Sequence, residues 1–360
     1  MTSIELTLGA AALAAVLSWL LAFATRQLAF RHGALSYPGG RRQHEKPMPQ
    51  WGGLGIFLAI VALVGSADGL GLLTQANLQP LQITGFLVGL LILLIGGLLD
   101  DVKQLKAGVQ IIFPILAALA VIMSGTGIVQ ITHPLAKGGW SLVWWSGEFT
   151  AWHWRLSLPS DLLTFAWILI ATYTTKILDG LDGLVAGLAV IGSGLVAALS
   201  SSVAYFQPAV ALLSGIVGGS FLGFLPHNKF PARQYLGEAG SLMAGFTLGV
   251  LAILSSAKIA IALAVLAIPI SDLILVVLGR IRRHVPWYKG DNTHLHFRLL
   301  QAGVSHNAAV LLLWGVSLTA GILALSLQTR GKIFLVVTLI VLAALGSFAA
   351  DVKAKRRKPQ

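Results

Sequence analysis

The stretch LQITGFLVGLLILLIGGLL at residues 81–99 contains no charged residue, and two aspartates, Asp100 and Asp101, follow it directly. A helix needs about 20 apolar residues to cross the hydrocarbon core of a bilayer, so this run is long enough to span a membrane. The whole chain has the same character, with 56% of its 360 residues hydrophobic and only 11% charged. A soluble domain carries roughly 25% charged residues. The sequence therefore predicts an integral membrane protein.

Ten further apolar runs predict an all-α polytopic membrane protein with about 11 transmembrane helices. Together with the stretch at 81–99, the eleven runs are 4–25, 53–66, 81–99, 108–124, 161–178, 184–205, 208–226, 241–257, 259–279, 308–327 and 332–350. The polar break Ser255-Ser256-Ala257-Lys258 separates two of them. We expect a single transmembrane catalytic domain over 1–350 and a basic cytoplasmic tail over 351–360. The absence of cysteine excludes disulfides and thiolate metal sites.

The positions of lysine and arginine predict the orientation, because cytoplasmic loops are enriched in them. With the N-terminus outside, the inside segments hold 20 of the 25 basic residues. These segments are 26–51, 100–107, 176–183, 227–239, 280–306 and the C-terminal tail. The net charge of +12 then reflects membrane orientation rather than a nucleic-acid partner.

One outside segment, 125–160, is rich in tryptophan and contains the alternating stretch TAWHWRLSL. This pattern predicts a short extracytoplasmic hairpin at the membrane interface. We interpret its tryptophans as interfacial anchors in preference to a sugar site.

Carboxylates gather on the predicted inner side, where an acid near the hydrocarbon needs a partner or a function. Three loops between helices carry Asp100, Asp101, Asp179, Asp182 and Glu238. Glycines beside most of them would let the backbone approach a phosphate closely. Hard oxygen ligands of this kind favour Mg²⁺, with Mn²⁺ as the alternative.

Basic and amide side chains accompany these acids in three further motifs. The motifs HEKPMPQWGG (44–53), NKFPAR (228–233) and DNTHLHFRLL (291–300) contribute His44, Lys46, Asn228, Lys229, Arg233, His294, His296 and Arg298. Carboxylates, a divalent cation and basic groups on one face are typical of phosphoryl transfer, in which positioning and charge neutralisation carry most of the catalysis.

Five segments in this order resemble the polyprenyl-phosphate N-acetylhexosamine-1-phosphate transferases. They are HEKPMPQWGG, LLDDVKQLKAG, ILDGLDGL, NKFPARQYLGEAGS and HLHFRLLQAGVS. The resemblance implies transfer of a sugar-1-phosphate from a UDP-sugar to a polyprenyl phosphate with release of UMP. It implies a bacterial-type inner membrane protein with a cytoplasmic active site. We also consider that the protein forms a homodimer.

The resemblance also implies roles for individual residues. Asp100 and Asp101 match the family's paired aspartates, which act on the lipid phosphate or as a base. Asp179 and Asp182 match catalytic acids, and Glu238 takes the place of the magnesium-binding aspartate, with Asp179 as a second ligand. His294 and His296 match the loop over the nucleotide-sugar, and His44 and Lys46 match the first basic pair.

Two departures from the family pattern are informative. Lys176 stands where the family usually has asparagine, and Glu238 is one methylene longer than the usual aspartate. We assign Lys176 to substrate binding. The short motif HLHF favours the hexosamine branch over the phospho-N-acetylmuramoyl-pentapeptide transferases.

Three alternatives remain open from the residues. A transporter or flippase could use membrane acids, but it predicts acids near helix midpoints. A CDP-alcohol phosphotransferase also uses repeated Asp-Gly, yet residues 185–195 lack its downstream aspartates. A nonenzymatic scaffold would follow if Lys176 and Glu238 marked a degenerate site.

Overall fold

The computed structural model describes residues 3–38, 46–74, 78–132, 139–149, 154–255, 260–282, 284 and 294–357. The protein is mostly helical. Its helices are α1 (Ser3–His32), α2 (Gly52–Gly69), α3 (Pro80–Lys103), α4 (Ala107–Gln110), α5 (Ile112–Met123), α6 (Ser160–Leu178), α7 (Leu184–Ser200), α8 (Pro208–Asn228), α9 (Gly237–Leu254), α10 (Ala260–Val265), α11 (Ala267–Arg282), α12 (Leu295–Gln301), α13 (His306–Ser326) and α14 (Thr329–Arg357).

Each predicted apolar run contains helix, which confirms the polytopic helical architecture. Within the described ranges, 8 helices are long and apolar enough to cross a membrane: α1, α2, α3, α6, α8, α9, α13 and the first part of α14. Two shorter apolar helical stretches cover Ala107–Met123 and Leu184–Ser200. The run at 259–279 is divided between α10 and α11. The total of eleven spans and their orientation stay predictions.

Short antiparallel strand pairs form outside the helices. Strand β1 (Leu35–Ser36) pairs with β2 (Met48–Pro49), β3 (Gln130–Thr132) with β4 (Gly139–Ser141), and β5 (Val143–Phe149) with β6 (Trp154–Pro159). The last two pairs lie in the segment for which a hairpin was expected, so the hairpin is confirmed and a second pair precedes it. Trp144 is 81% exposed, as expected of an interfacial side chain.

Helices α8 and α9 form the centre of the bundle, while α1 lies at its edge. In the most apolar stretch of α8 and of α9, 83% of residues are buried, against 22% in α1. Helix α14 continues to Arg357, so the predicted tail begins as an extension of the last helix. The boundary between domain and tail stays a prediction.

Three glycines in α8 allow α1 to pack directly against it. Gly215, Gly219 and Gly223 are spaced by four residues and share one face of the helix. A Cβ atom on Gly219 or Gly223 would collide with the backbone of Ala11 or Ala15 in α1. Stripes of small residues are typical of membrane helix interfaces, because they let the backbones approach closely.

Substitution of Gly219 by alanine should therefore destabilise the protein. The added methyl group meets backbone rather than a movable side chain, and overpacking of this kind costs about 1–3 kcal/mol. The thermal unfolding temperature of the detergent-purified Gly219→Ala protein should fall by several degrees. Gly65→Ala in α2 is the matched control, since its Cβ would meet no atom within 4 Å in the structure. Equal unfolding temperatures for the two variants would contradict this packing.

Candidate active site

The five predicted carboxylates lie where helices begin or end, and the structure brings them into one electrostatic cluster. Asp100 and Asp101 are in the last turn of α3, Asp179 and Asp182 are in the turn between α6 and α7, and Glu238 is in the first turn of α9. The charges of Asp100, Asp179 and Glu238 all act on Asp101. The three loops therefore converge in the structure, as the sequence predicted.

Close packing of α3 against α9 joins two of the motifs. A Cβ atom on Gly97 would collide with Ala239, so only glycine permits this approach. The backbone N–H of Glu238 donates a hydrogen bond to Asp101 Oδ1 over 3.0 Å. Gly237 adopts φ +73°, a left-handed conformation that suits glycine, and thereby aims this N–H at Asp101. Asp101 thus fixes the start of α9 and the position of Glu238.

Lys176, in the last turn of α6, forms an ion pair with Glu238. Its Nζ also donates to Gln110 Oε1 over 2.9 Å and lies 5.6 Å from the centre of the Tyr173 ring. The side chains of Lys176 and Glu238 are only 20% and 16% exposed. A pair this sheltered from water is expected to interact more strongly than a surface pair.

Gln110 extends this network to the aspartate pair. Its Nε2 donates to Asp100 Oδ1 over 2.8 Å and to the carbonyl of Leu105 over 3.0 Å. The backbone N–H of Leu105 donates to the same Asp100 oxygen over 2.8 Å. Asp100, Gln110, Lys176 and Glu238 therefore form one continuous chain of contacts between α3, α6 and α9. Sequence reasoning missed Gln110, because a single amide outside the acidic motifs gives no signal.

The turn between α6 and α7 is clamped by the loop that follows α8. Asp182 Oδ2 accepts a hydrogen bond from the Ala232 N–H over 3.0 Å. The Gly183 N–H donates to Asn228 Oδ1 over 3.1 Å, and Asn228 Nδ2 donates to the Gln234 carbonyl over 3.1 Å. Asn228 is buried and uses both ends of its amide to hold this turn. Its predicted contact with substrate stays a prediction.

Asp179 combines an exposed surface with a dense protein surrounding. The dense protein surroundings of the carboxyl group, followed by the nearby charges of Glu238 and Asp182, raise the pKa of Asp179. A carboxyl group with a raised pKa among like charges favours the arrival of a cation, which restores its ionised form. The exposed side of the residue leaves a route for such a group.

The two predicted histidines are buried beside the same turn. His294 Nδ1 lies 2.8 Å from Asp272 Oδ2, and the Leu295 N–H donates to the other Asp272 oxygen over 2.8 Å. Asp272, to which the sequence motifs assign no role, orients the histidine segment through these two contacts.

His296 lies against the Asp-Gly turn and is 1% exposed. A Cβ atom on Gly180 would collide with its Nε2, so the glycine makes room for the imidazole. Neither ring nitrogen has a hydrogen-bond partner within the described part of the chain. Burial lowers the pKa of His296 to about 4, so the ring is neutral near pH 7. A neutral imidazole can donate one hydrogen bond to a phosphate and accept another.

The remaining predicted residues have less defined positions. Lys46, Lys229 and Arg233 are exposed, and Arg298 is partly buried on α12. His44 lies outside the described residues. The substrate contacts predicted for these five side chains stay predictions.

Of the two predicted magnesium ligands, Glu238 does not fit a divalent cation in its present arrangement. An ammonium group already lies against the Glu238 carboxylate, and two cations repel each other at the edge of one carboxylate. Across the described ranges, no three histidine or acidic side chains converge closely enough to hold a metal ion. The assignment of Mg²⁺ or Mn²⁺ to Glu238 and Asp179 stays a prediction.

The chain is similar to known proteins over most of its length. Residues 83–256 match the glycosyl transferase family 4 model. A probable undecaprenyl-phosphate N-acetylglucosaminyl 1-phosphate transferase of Bacillus subtilis is 30% identical, over 88% of this chain and 84% of its own. The decaprenyl-phosphate N-acetylglucosaminephosphotransferase of Mycobacterium tuberculosis is 31% identical, over 84% and 77%.

A phospho-N-acetylmuramoyl-pentapeptide-transferase of Halalkalibacterium halodurans is 33% identical, but over only 44% of this chain and 48% of its own. The longer matches thus confirm the hexosamine branch that the motifs favoured.

Replacing Asn228 should loosen the turn that carries Asp179 and Asp182. Asn228→Leu keeps the size of the side chain but leaves the Gly183 N–H and the Gln234 carbonyl without this partner. An unsatisfied buried polar group costs about 1–3 kcal/mol. Thermal unfolding should therefore occur at a clearly lower temperature than in the Asn307→Leu control, whose side chain is exposed at the start of α13. An unchanged unfolding temperature would show that the hydrogen bonds of Asn228 do not stabilise the protein.

Proposed function

Because the chain belongs to glycosyl transferase family 4, we propose that it transfers N-acetylhexosamine-1-phosphate from a UDP-sugar to a polyprenyl phosphate. The products are a polyprenyl diphosphate sugar and UMP, and the reaction would initiate synthesis of a cell-envelope glycan. The names of the relatives favour N-acetylglucosamine as the sugar. The observation that carries the proposal is the network joining Asp100 to Glu238 at the ends of three helices.

The bond changes require no strong base. An oxygen of the lipid phosphate attacks the phosphorus that bears the sugar, and the bond from that phosphorus to the bridging oxygen breaks. UMP leaves with the bridging oxygen and the electron pair. A phosphate monoester has its second pKa near 6, so the attacking oxygen is already ionised at pH 7. The protein's part is therefore to align two phosphate groups and to reduce their repulsion.

The residues divide these tasks by position. The exposed apolar face of α3, formed by Leu91, Ile95, Leu99 and Val102, ends at the paired aspartates. A prenyl chain lying on this face would bring its phosphate to Asp100 and Asp101. The donor's diphosphate would lie toward the Asp-Gly turn, near the neutral His296 and the ammonium group of Lys176. Lys229, Arg233 and Arg298 would supply further positive charge.

The orientation belongs to the same proposal. The apolar runs support eleven spans, and the distribution of lysine and arginine supports an outside N-terminus and a site that faces the cytoplasm of a bacterial cell. The homodimer stays a prediction. The transporter alternative has no support from the relatives, which are transferases.

The direct test is transfer by the purified protein. The protein is mixed with undecaprenyl phosphate and, in turn, with UDP-N-acetylglucosamine and other UDP-sugars, in buffer containing Mg²⁺. Release of UMP with formation of a lipid-linked sugar is expected for at least UDP-N-acetylglucosamine, and only when the lipid is present. Failure with every UDP-sugar tested would contradict the proposal.

Asp101→Asn should lower kcat for this transfer by about a hundredfold or more, because an amide cannot take up a proton from the lipid phosphate as a carboxylate can. The asparagine retains an oxygen that can accept the Glu238 N–H, so thermal unfolding should change little. Glu5→Gln is the control, since Glu5 is an exposed acid in the first turn of α1. Wild-type turnover in Asp101→Asn would remove Asp101 from the catalytic group.

A further inference from the structure

We propose that Lys176 is a built-in counter-ion that takes the cation position at Glu238, so that Glu238 does not bind a divalent cation. The inference rests on the proposed function in one respect, namely that the segment around Glu238 faces the diphosphate of the donor. It concerns a residue pair that departs twice from the family pattern, at Lys176 and at Glu238.

The first observation is the set of contacts around the ammonium group. Lys176 Nζ touches the Glu238 carboxylate, donates to Gln110 and faces the Tyr173 ring. An ammonium group has three donors and no acceptor, and an acid, an amide oxygen and an aromatic face all complement it. These partners come from α4, α6 and α9, so the tertiary fold builds the position.

The second observation is that Gln110 is itself held in a defined orientation. Its Nε2 donates to Asp100 and to the carbonyl of Leu105, which leaves Oε1 directed at Lys176. If Gln110 were turned over, its amide donors would face the ammonium group. The hydrogen bonds at Nε2 therefore select the orientation that stabilises a cation beside Glu238.

The third observation concerns the length of the two side chains. Glu238 reaches further from the start of α9 than aspartate would, and Lys176 approaches from the end of α6. The longer acid closes the distance to a cation on another helix. A divalent ion could bind Glu238 only if Lys176 moved away from the carboxylate. Because the pair is mostly shielded from solvent, separating these two opposite charges would be costly.

The functional consequence is electrostatic. A donor diphosphate that approaches the acidic cluster would be repelled by each uncompensated carboxylate. Lys176 offsets the charge of Glu238 permanently, without depending on the concentration of a free ion. A cation carried into the site by the nucleotide itself would still be compatible with this arrangement.

Binding of Mn²⁺ to the detergent-purified full-length protein, followed by electron paramagnetic resonance without nucleotide, tests the inference. Wild type and Glu238→Gln should bind Mn²⁺ equally, because Glu238 is not a ligand in either. Lys176→Met should gain a site at least about tenfold tighter, since a positive charge beside the carboxylate is removed. That gain should disappear in Lys176→Met/Glu238→Gln. Lys103→Met, which removes an exposed lysine at the end of α3, should behave as wild type.

A Mn²⁺ site in wild type that is lost in Glu238→Gln would overturn the inference. This comparison stays decisive even if Lys176→Met fails to fold, because both proteins retain the lysine. Sugar-phosphate transfer measured on the same wild-type preparation separates the two proposals. Transfer together with a Glu238-dependent Mn²⁺ site would refute the counter-ion alone, whereas absence of transfer with equal Mn²⁺ binding would refute only the proposed function.

Discussion

The ion pair between Lys176 and Glu238 is the interaction on which the arrangement of the site depends. Carboxylates crowded at the ends of apolar helices repel one another wherever they are ionised. Lys176 offsets one of these charges and, through Gln110, links it to Asp100. These contacts hold the end of α3, the end of α6 and the start of α9 next to one another.

Glycine makes this convergence sterically possible. Gly97 lets α3 approach Ala239 of α9, and Gly180 leaves space for His296 beside the turn. In α8, the stripe from Gly215 to Gly223 brings α1 close to the buried centre of the bundle. Backbones that approach this closely allow short polar side chains to meet across helices. The scaffold and the site therefore follow from the same choice of small residues.

The sequence predicted the helices and the converging motifs because both leave local signals. Apolar runs give the helices, and the adjacent Asp-Gly and Gly-Glu-Ala-Gly segments mark where they turn. The contacts of individual side chains leave no such signal. Gln110 and Asp272 act through partners 66 and 22 residues away.

The amide of Asn228 holds the backbone of the turn, a role that the sequence did not indicate, and its contact with substrate stays a prediction. The position of Lys176 in the sequence marked it as unusual, but only the fold shows that it pairs with Glu238. The break at Ile111, between α4 and α5, has a marker in Pro114, which has no N–H to bond the carbonyl of Gln110, but the apolar pattern alone does not register it.

A double-mutant cycle on Lys176 and Glu238 tests this account most directly. The free energy of unfolding would be measured for wild type, Lys176→Met, Glu238→Gln and the double variant under reversible conditions. The account predicts a coupling free energy of about 1–3 kcal/mol, with the double variant losing less stability than the two single variants lose when their losses are added. A coupling indistinguishable from zero would show that the two residues do not interact, and would contradict the account.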